Sequence, residues 1–279
     1  MESVSKNILL ANDFPGYGKV ALAAMTPLLS RMGHYVFQLP TAVVSNTLDF
    51  GKFRMQDMTG YMKGALEVWQ ELGFEPDCIC TGFITSGEQG QLLGEYIQKQ
   101  KREKGDRCLV VVDPIMADCG KLYNGIGPDR IWAMKRLAAM SDVMVPNITE
   151  ASFLTGIRPG QESGFPEQVE ELVDGLKALS GKSVVITSVT EKNAGKEIHC
   201  VYGYDHFHQE PFRIPYEHLP VRVAGSGDIF SALMVGGLLA GNPLKDAVSK
   251  SVKTLSALIA KDREDPHGYK GILIEKYEI

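Results

Sequence analysis

The sequence has no long hydrophobic run and no cluster of basic residues. Its longest strongly apolar stretch, residues 229–241, is shorter than the ~20 residues that a membrane-spanning helix needs. The chain has 29 Lys plus Arg against 34 Asp plus Glu, so its net charge of -5 provides no positive field for a phosphate backbone. We therefore expect neither a membrane protein nor a nucleic-acid-binding protein.

Cysteine is also scarce, since the chain has only five, an odd number. Cys78, Cys80, Cys108 and Cys200 lie in apolar alternating segments, where a thiol behaves as a small hydrophobic side chain. Residues 1–6 do not have the pattern of a secretory leader. These observations favour a cytoplasmic protein in a reducing compartment.

The GxxxxGK[ST] phosphate-binding loop is absent, which excludes a P-loop kinase. A dinucleotide fingerprint is present as a pattern, Gly16-x-Gly18-x-x-Ala21, but its surroundings do not fit. The first glycine comes five residues after the apolar strand that we predict over residues 8–11. The second strand ends on Gln38 and not on the acid that would bind a ribose. An NAD-dependent dehydrogenase is therefore disfavoured.

Apolar strands alternate with helical segments along the chain, which predicts an α/β fold. With 279 residues, 44% of them hydrophobic, and no linker or repeat, the chain is expected to form a single domain over residues 1–279. The predicted strands are residues 8–11, 35–38, 41–46, 78–84, 108–112, 142–145, 184–188, 198–204, 206–214 and 272–274. The predicted helices are residues 19–32, 58–72, 87–103, 128–140, 151–155, 166–180, 229–240 and 243–260.

The segment Gly225-Ser226-Gly227-Asp228 lies between an extended stretch and a helix. Two glycines around one small residue allow a tight turn, and the helix that follows leaves its first amides unpaired. Such amides form an anion site. An acid there competes with a phosphate unless it removes a proton from the group that attacks that phosphate, although the turn could also be only a helix cap.

Polar side chains follow several of the predicted strands. In a parallel sheet, ligands bind beyond the carboxyl ends of the strands, so these side chains are expected at one edge. Carboxylates and hydroxyls beside an anion site indicate magnesium and phosphates. Simple turn chemistry explains the acids equally well, and the Thr149 hydroxyl could cap the helix after it. The residues concerned are Asp113, Asp118, Glu150, Thr187 and Ser188.

These residues belong to a series that resembles the ribokinase-like superfamily and, within it, the vitamin B6 kinases. The matching islands, in order, are Tyr17-Gly18, Thr41 with Ser45-Asn46, Gly51-Lys52, Thr81-Gly82-Phe83, Asp113-Pro114-Ile115-Met116, Pro146-Asn147 with Glu150, Val185-Ile186-Thr187-Ser188 and Gly225-Ser226-Gly227-Asp228. The resemblance implies a ribokinase-like three-layer αβα sandwich with a central, mostly parallel sheet. It also implies a homodimer that transfers the γ-phosphoryl group of ATP to a hydroxymethyl group on an aromatic ring.

The resemblance also implies a role for each site residue. Asp228 would be the catalytic base, and the amides of Gly225, Ser226 and Gly227 would form the anion hole with its own. The remaining roles are Mg²⁺ binding by Asp113, Asp118 and Glu150, nucleotide binding by Asn147, Thr187 and Ser188, and substrate binding by Asp13, Thr41, Phe83 and Tyr123. The family often uses a monovalent cation such as K⁺ as well.

Two positions depart from the family pattern. The family usually has serine at the position of Asp13, where it meets the ring nitrogen, and commonly has tyrosine at the position of Phe83. A carboxylate at residue 13 stabilises a neighbouring cation. We therefore expect a preference for pyridoxamine or for a pyridinium form of the substrate.

Other functions stay open at this point. A hydroxymethylpyrimidine kinase of thiamine biosynthesis has the same chemistry and superfamily, and a sugar or nucleoside kinase comes next. A nucleotide-binding protein without turnover and the NAD-dependent dehydrogenase belong to different classes.

Overall fold

The computed structural model describes residues 5–123, 126–157, 166–193, 196–262 and 268–278. The strands are β1 Asn7–Pro15, β2 Tyr35–Val44, β3 Met55–Asp57, β4 Cys78–Thr81, β5 Leu109–Val112, β6 Ala117–Asp118, β7 Lys121–Leu122, β8 Val143–Met144, β9 Ser183–Asn193, β10 Lys196–Asp205 and β11 Glu210–Tyr216. The α-helices are α1 Ala21–Arg31, α2 Thr59–Glu71, α3 Gly87–Lys104, α4 Pro128–Ala138, α5 Ile148–Thr155, α6 Pro166–Ser180, α7 Ser226–Leu239 and α8 Leu244–Lys261. Short 3-10 helices cover Leu48–Phe50, Gly105–Arg107 and Ile274–Lys276.

The chain divides into two compact units. Unit 1 comprises residues 1–85, 104–109 and 219–279, and unit 2 comprises residues 86–103 and 110–218. The single domain over residues 1–279 stays a prediction.

Unit 1 contains four strands in the order β4-β1-β2-β3. β1 pairs in parallel with β4 and β2, and β3 pairs antiparallel with β2. Ile8, Leu9, Leu10 and Ala11 of β1 are fully buried, as expected for a parallel strand that is covered on both faces. Helix α7 is apolar on nearly all sides, and it packs between α1 and α8.

Unit 2 contains five strands in the order β11-β10-β9-β8-β5. β5, β8 and β9 are parallel, whereas β10 and β11 extend the sheet in antiparallel fashion. Val184, Val185 and Ile186 of β9 are fully buried beneath α5 and α6. A separate hairpin, β6 with β7, follows β5.

Several predicted boundaries are wrong. β1 continues to Pro15, because Phe14 and Pro15 pair with Val43 and Val44 of β2 beyond a register shift. The predicted strands 35–38 and 41–46 are therefore one strand, β2. The turn between β10 and β11 lies at residues 206–209, later than predicted, because the Asp205 side chain accepts hydrogen bonds from the next amides.

Two further boundaries at the end of unit 1 also differ from the prediction. Residues 272–274 do not form a strand, and a 3-10 helix begins at Ile274. Helix α7 begins at Ser226, earlier than predicted, which places Asp228 in its first turn. Among the described helices, none combines the length and apolar character needed to cross a membrane.

Candidate active site

The glycine turn that precedes α7 requires glycine at residue 225. Gly225 has a left-handed backbone, with φ of 77°, and a Cβ there would lie 2.5 Å from the Lys19 carbonyl oxygen. The Ser226 amide donates a long hydrogen bond of 3.4 Å to the Val223 carbonyl, and the first bond within the helix runs from Ile229 to Gly225. The amides of the first turn are thus arranged at a helix N-terminus, where they favour an anion.

Asp228 is held from two sides by hydrogen-bond donors. Its Oδ2 accepts a hydrogen bond of 2.8 Å from the amide of Ala21, and its Oδ1 lies 3.2 Å from Nδ2 of Asn12. Burial raises the pKa of Asp228 to about 6, and the two hydrogen bonds oppose that shift. The carboxyl is therefore mostly ionised at neutral pH and can accept a proton.

Ala21 is in an unusual conformation at the start of α1. Its φ of 47° lies in the left-handed region, which non-glycine residues adopt at a cost. This conformation brings its amide to Asp228. The sequence pattern does not indicate this contact, because it marks Ala21 only as the last residue of the dinucleotide fingerprint.

Three predicted substrate residues lie in the same unit as Asp228. The Thr41 hydroxyl donates a hydrogen bond of 2.7 Å to the Phe83 carbonyl, and the Phe83 amide donates one of 2.9 Å to Oδ1 of Asn12. Asn12, Thr41 and Phe83 are buried. Since Asn12 also contacts Asp228, one chain of hydrogen bonds joins Thr41 and Phe83 to the acid.

Asp13 lies beside this chain, at the register shift in β1. Burial, followed by the negative charge of Asp228, raises the pKa of Asp13 to about 7. Burial and the neighbouring charge of Asp228 therefore both favour the protonated form of Asp13. Asp13 is therefore sensitive to a cation placed beside it.

Asn12 is a site residue that was not predicted, because it lies beyond the strand predicted over residues 8–11. Its polarity directly after an apolar strand was a usable signal, because a polar residue at a strand end in a parallel sheet faces the ligand edge. Its complete burial became evident only in the fold.

A cavity of about 550 Å³ lies at the end of β2 in unit 1. Its lining consists of Tyr17, Ser45, Asn46, Phe50, Lys52, Phe53 and Arg54. Asp13, Thr41 and Phe83 do not line it, so the candidate site is defined by the hydrogen bonds around Asp228 and not by this cavity.

In unit 2, Glu150 is a buried acid in the first turn of α5. Its Oε1 accepts hydrogen bonds from the amides of Met116 at 3.0 Å and Ala117 at 3.4 Å, and its Oε2 accepts one of 2.9 Å from the amide of Asn147. Asn147 is the N-cap of α5 and forms a capping box with Glu150. The suggestion that Thr149 caps this helix is therefore wrong.

Of the three predicted metal ligands, Asp113 and Glu150 are buried and Asp118 is half-buried. Burial, and then the charge of Asp113, raise the pKa of Glu150 well above its usual value. Asp118 lies in β6, where its Oδ1 accepts a hydrogen bond from the Cys119 amide. Among the described residues, no group of three or more His, Cys, Asp or Glu is clustered tightly enough to hold a metal by itself. Two neighbouring carboxyls suit Mg²⁺, which keeps several waters and uses one or two carboxylates.

The predicted nucleotide residues are in unit 2. Nδ2 of Asn147 donates a hydrogen bond of 2.8 Å to the Ala117 carbonyl, and Asn147 also forms a parallel bridge with Thr187. Ser188 follows with a left-handed φ of 59° and an exposed side chain. Tyr123, the fourth predicted substrate residue, is half-buried next to the β6–β7 hairpin, where its amide bonds to the Met116 carbonyl.

The predicted gap between the first strand and Gly16 of the dinucleotide fingerprint is wrong. Because β1 runs to Pro15, Gly16 directly follows the strand. The second strand does not end on Gln38 as predicted but at Val44, and the residues that follow it, Ser45 and Asn46, are again not an acid.

The chain is similar to several kinases. Residues 28–272 match the family model described as phosphomethylpyrimidine kinase. A relative named pyridoxal kinase PdxY, from Rubrobacter xylanophilus, is 28% identical over 263 residues, which cover 91% of this chain and 87% of the relative.

Solved structures agree with this likeness. A Bacteroides thetaiotaomicron protein assigned as a phosphomethylpyrimidine kinase, crystallised with pyridoxal, has a TM-score of 0.90 and 30% identity, over 98% of this chain and 94% of that one. Pyridoxal kinase from Lactobacillus plantarum has a TM-score of 0.85 and 26% identity, over 97% of this chain and 94% of that one.

These findings confirm three predictions. The three-layer α/β fold class with a mostly parallel central sheet is confirmed, as is the resemblance to the vitamin B6 kinases. The enzyme class, a phosphotransferase that acts on a hydroxyl group, is confirmed as well. The chain belongs to the phosphomethylpyrimidine kinase family.

Proposed function

We propose that this protein phosphorylates the 5-hydroxymethyl group of a B6 vitamer (pyridoxal, pyridoxine or pyridoxamine), with ATP as the phosphoryl donor. The observation that carries the proposal is the position of Asp228, an ionisable acid in the first turn of α7 that is linked by hydrogen bonds to Thr41 and Phe83. The pyridoxal in the Bacteroides structure and the name of the Rubrobacter relative support the choice of a B6 vitamer.

The reaction follows from the chemistry of these groups. The substrate hydroxyl oxygen forms a bond to the γ-phosphorus of ATP, the bond from that phosphorus to the bridging oxygen breaks, and ADP leaves. Asp228 takes the hydroxyl proton, and the amides of Gly225, Ser226, Gly227 and Asp228 itself stabilise the negative charge on the transferred group. A positioned base supplies roughly 3–5 kcal/mol of the barrier reduction.

Unit 2 supplies the proposed nucleotide and metal groups. Asn147, Thr187 and Ser188 would contact the triphosphate. Asp113, Asp118 and Glu150 would hold Mg²⁺ directly or through water. Oε1 of Glu150 already accepts two amides, so its Oε2 is the oxygen with room for a further contact. When bound, the ion neutralises charge on the phosphates. A monovalent cation such as K⁺ completes the proposed cofactor set.

A panel of substrates tests the proposal. The purified protein is incubated with ATP, Mg²⁺ and one of six alcohols, namely the three B6 vitamers, 4-amino-5-hydroxymethyl-2-methylpyrimidine, ribose and a nucleoside, and ADP and the phosphorylated product are measured. We expect phosphorylation of at least one vitamer with the highest kcat/KM of the panel. Phosphorylation of the pyrimidine alone would favour the second candidate, a hydroxymethylpyrimidine kinase, which the matching family model favours by its description. Turnover of no alcohol would support a nucleotide-binding protein.

Asp13 is proposed to set the preference among the vitamers. Because its pKa is raised to about 7, a pyridinium or ammonium group beside it would stabilise its ionised form and gain a charged partner. Replacing Asp13 by serine should therefore lower kcat/KM for pyridoxamine relative to pyridoxal by about tenfold, which corresponds to ~1.4 kcal/mol.

Steady-state kinetics of Asp13→Ser with all three vitamers measure this change. Asp13→Asn, which keeps the shape of the side chain and removes its charge, is the matched variant and should behave like the serine variant. An unchanged ratio of kcat/KM for pyridoxamine to kcat/KM for pyridoxal in both variants would contradict the role of Asp13.

The assembly is proposed from the resemblance, and a cytoplasmic location from the scarcity of cysteine. A homodimer is the arrangement that the family pattern implies, and light scattering coupled to size-exclusion chromatography measures the mass of the assembly. A mass of one chain, 30.6 kDa, at micromolar concentration would contradict the dimer.

A further inference from the structure

Asn12 is a buried amide whose hydrogen bonds lead to three residues of the candidate site. Its side-chain oxygen accepts hydrogen bonds from the amides of Asp13 at 3.0 Å and Phe83 at 2.9 Å. Its side-chain nitrogen lies 3.2 Å from Oδ1 of Asp228 and 3.6 Å from the sulfur of Met25. The residue is 1% exposed, so water cannot replace these partners.

The orientation of this amide is fixed by its surroundings. The backbone N–H groups of Asp13 and Phe83 both point at one end of the Asn12 side chain, and only its carbonyl oxygen can accept these hydrogen bonds. The NH₂ group is therefore left facing Asp228. Gly82 closes the remaining side, because a Cβ there would lie 2.6 Å from the Asn12 amide. If the amide were flipped, its oxygen would face the Asp228 carboxylate. Its NH₂ group would then face the amide N–H groups of Asp13 and Phe83, which are donors as well.

We propose that Asn12 is a positioning residue for proton transfer. Its NH₂ group orients the carboxylate of Asp228 and stabilises the ionised form of that carboxylate. The inference rests on the function proposed above. Asn12 holds Oδ1 and the Ala21 amide holds Oδ2, so the rotation of the carboxylate is fixed. Each oxygen keeps a second lone pair, and these remain for the substrate hydroxyl.

The groups that determine the charge of Asp228 come from the two elements beside the first turn of α7. β1 contributes the Asn12 amide and the neighbouring Asp13 carboxyl, and α1 contributes the Ala21 amide. The two amides stabilise the ionised form, and burial destabilises it. Removing the Asn12 donor should therefore raise the pKa of Asp228.

The variant Asn12→Asp tests whether the group of residue 12 that faces Asp228 influences the charge of the base. Aspartate has nearly the same shape, and one of its oxygens can still accept the amides of Asp13 and Phe83. The other oxygen replaces the donor that faces Asp228 and adds a like charge. Because this added charge by itself raises the pKa of Asp228, the uncharged variant Asn12→Ser decides whether the lost donor matters.

The test measures the pKa of Asp228 directly. Protein labelled with ¹³C at the aspartate carboxyl carbons is titrated by NMR without substrate, and the Asp228 signal is assigned by its loss in Asp228→Asn. We expect the pKa of Asp228 in Asn12→Asp to be about one to two units above that of the wild type. The acid limb of kcat/KM against pH should move by the same amount. Asn242→Asp, the same chemical change in the turn between α7 and α8, is the control and should leave both unchanged.

A second variant keeps the inference testable if Asn12→Asp does not fold. Asn12→Ser is too short to reach Asp228, and it should raise the same pKa by about one unit and lower kcat about tenfold, with the KM for ATP unchanged. An Asp228 pKa equal to that of the wild type in a folded Asn12 variant would overturn the positioning role. If the wild type phosphorylated no alcohol, the proposed function would fail, yet the NMR titration would still decide the role of Asn12.

Discussion

Replacing Asp228 by asparagine is expected to lower kcat by about 10²–10⁴, because an amide cannot accept the proton of the substrate hydroxyl. The asparagine oxygen can still accept the Ala21 amide, which contacts Oδ2 at 2.8 Å in the wild type. The asparagine NH₂ group would face the NH₂ group of Asn12, so that one hydrogen bond is lost while the contact with α1 is kept, and the affinity for ATP should change little. Steady-state turnover and calorimetric binding of ATP measure the two effects separately.

Asp246→Asn is the matched control for this variant. Asp246 is an exposed acid in the first turn of α8, in the same unit as Asp228. The substitution removes the same charge from a helix N-terminus. Because Asp246 is not one of the candidate site residues, turnover should stay near that of the wild type. Near-normal turnover in Asp228→Asn would mean that the turn before α7 is only a helix cap.

Replacing Glu150 by alanine is expected to lower the free energy of unfolding by about 3 kcal/mol. The carboxyl accepts hydrogen bonds from the amides of Met116, Ala117 and Asn147, and it completes the capping box of α5. A buried amide left without a partner costs about 1–3 kcal/mol, and the lost bond to the Asn147 amide is the one that Glu150 contributes to the capping box. Removal of an acid that is costly to bury offsets part of this sum. Urea unfolding followed by circular dichroism measures the difference.

The matched control is Glu167→Ala, which removes an exposed acid from the first turn of α6 in the same unit. It should change stability by less than about 0.5 kcal/mol. Equal stability of the two variants would show that the three amides find other partners. The comparison also matters for magnesium, because a Glu150 variant that loses activity without losing stability would favour a direct role at the metal.

The alternation of strands and helices was predicted well because it depends on local hydrophobic patterns. Residues 8–11, 108–112 and 184–186 are apolar, and all fall in or beside buried strands of parallel sheets. The errors occurred where pairing with another strand extends an element. β1 continues through polar Asn12 and Asp13 to Pro15 because β2 runs beside it.

The candidate site was also predictable only in part, because only its local features can be recognised in a sequence. Strand ends and a glycine turn are visible in a sequence, so the acids and hydroxyls of the candidate site were found. The contacts among them were not found, since they join residues far apart in the chain. Asn12 and Asp228 are separated by 216 positions, and Ala21 and Asp228 by 207.

The sequence by itself determined that the chain is an α/β protein with a glycine turn before an acid, because backbone freedom and hydrophobic periodicity are local properties. The tertiary structure explains why residue 225 is glycine, since a Cβ there would lie 2.5 Å from the Lys19 carbonyl oxygen. The tertiary structure alone decided the charge of the acids. The pKa values of Asp13, Glu150 and Asp228 depend on burial and on neighbours that are brought together only when the sheets form, since desolvation and Coulomb interactions depend on distance in space and not on distance along the chain.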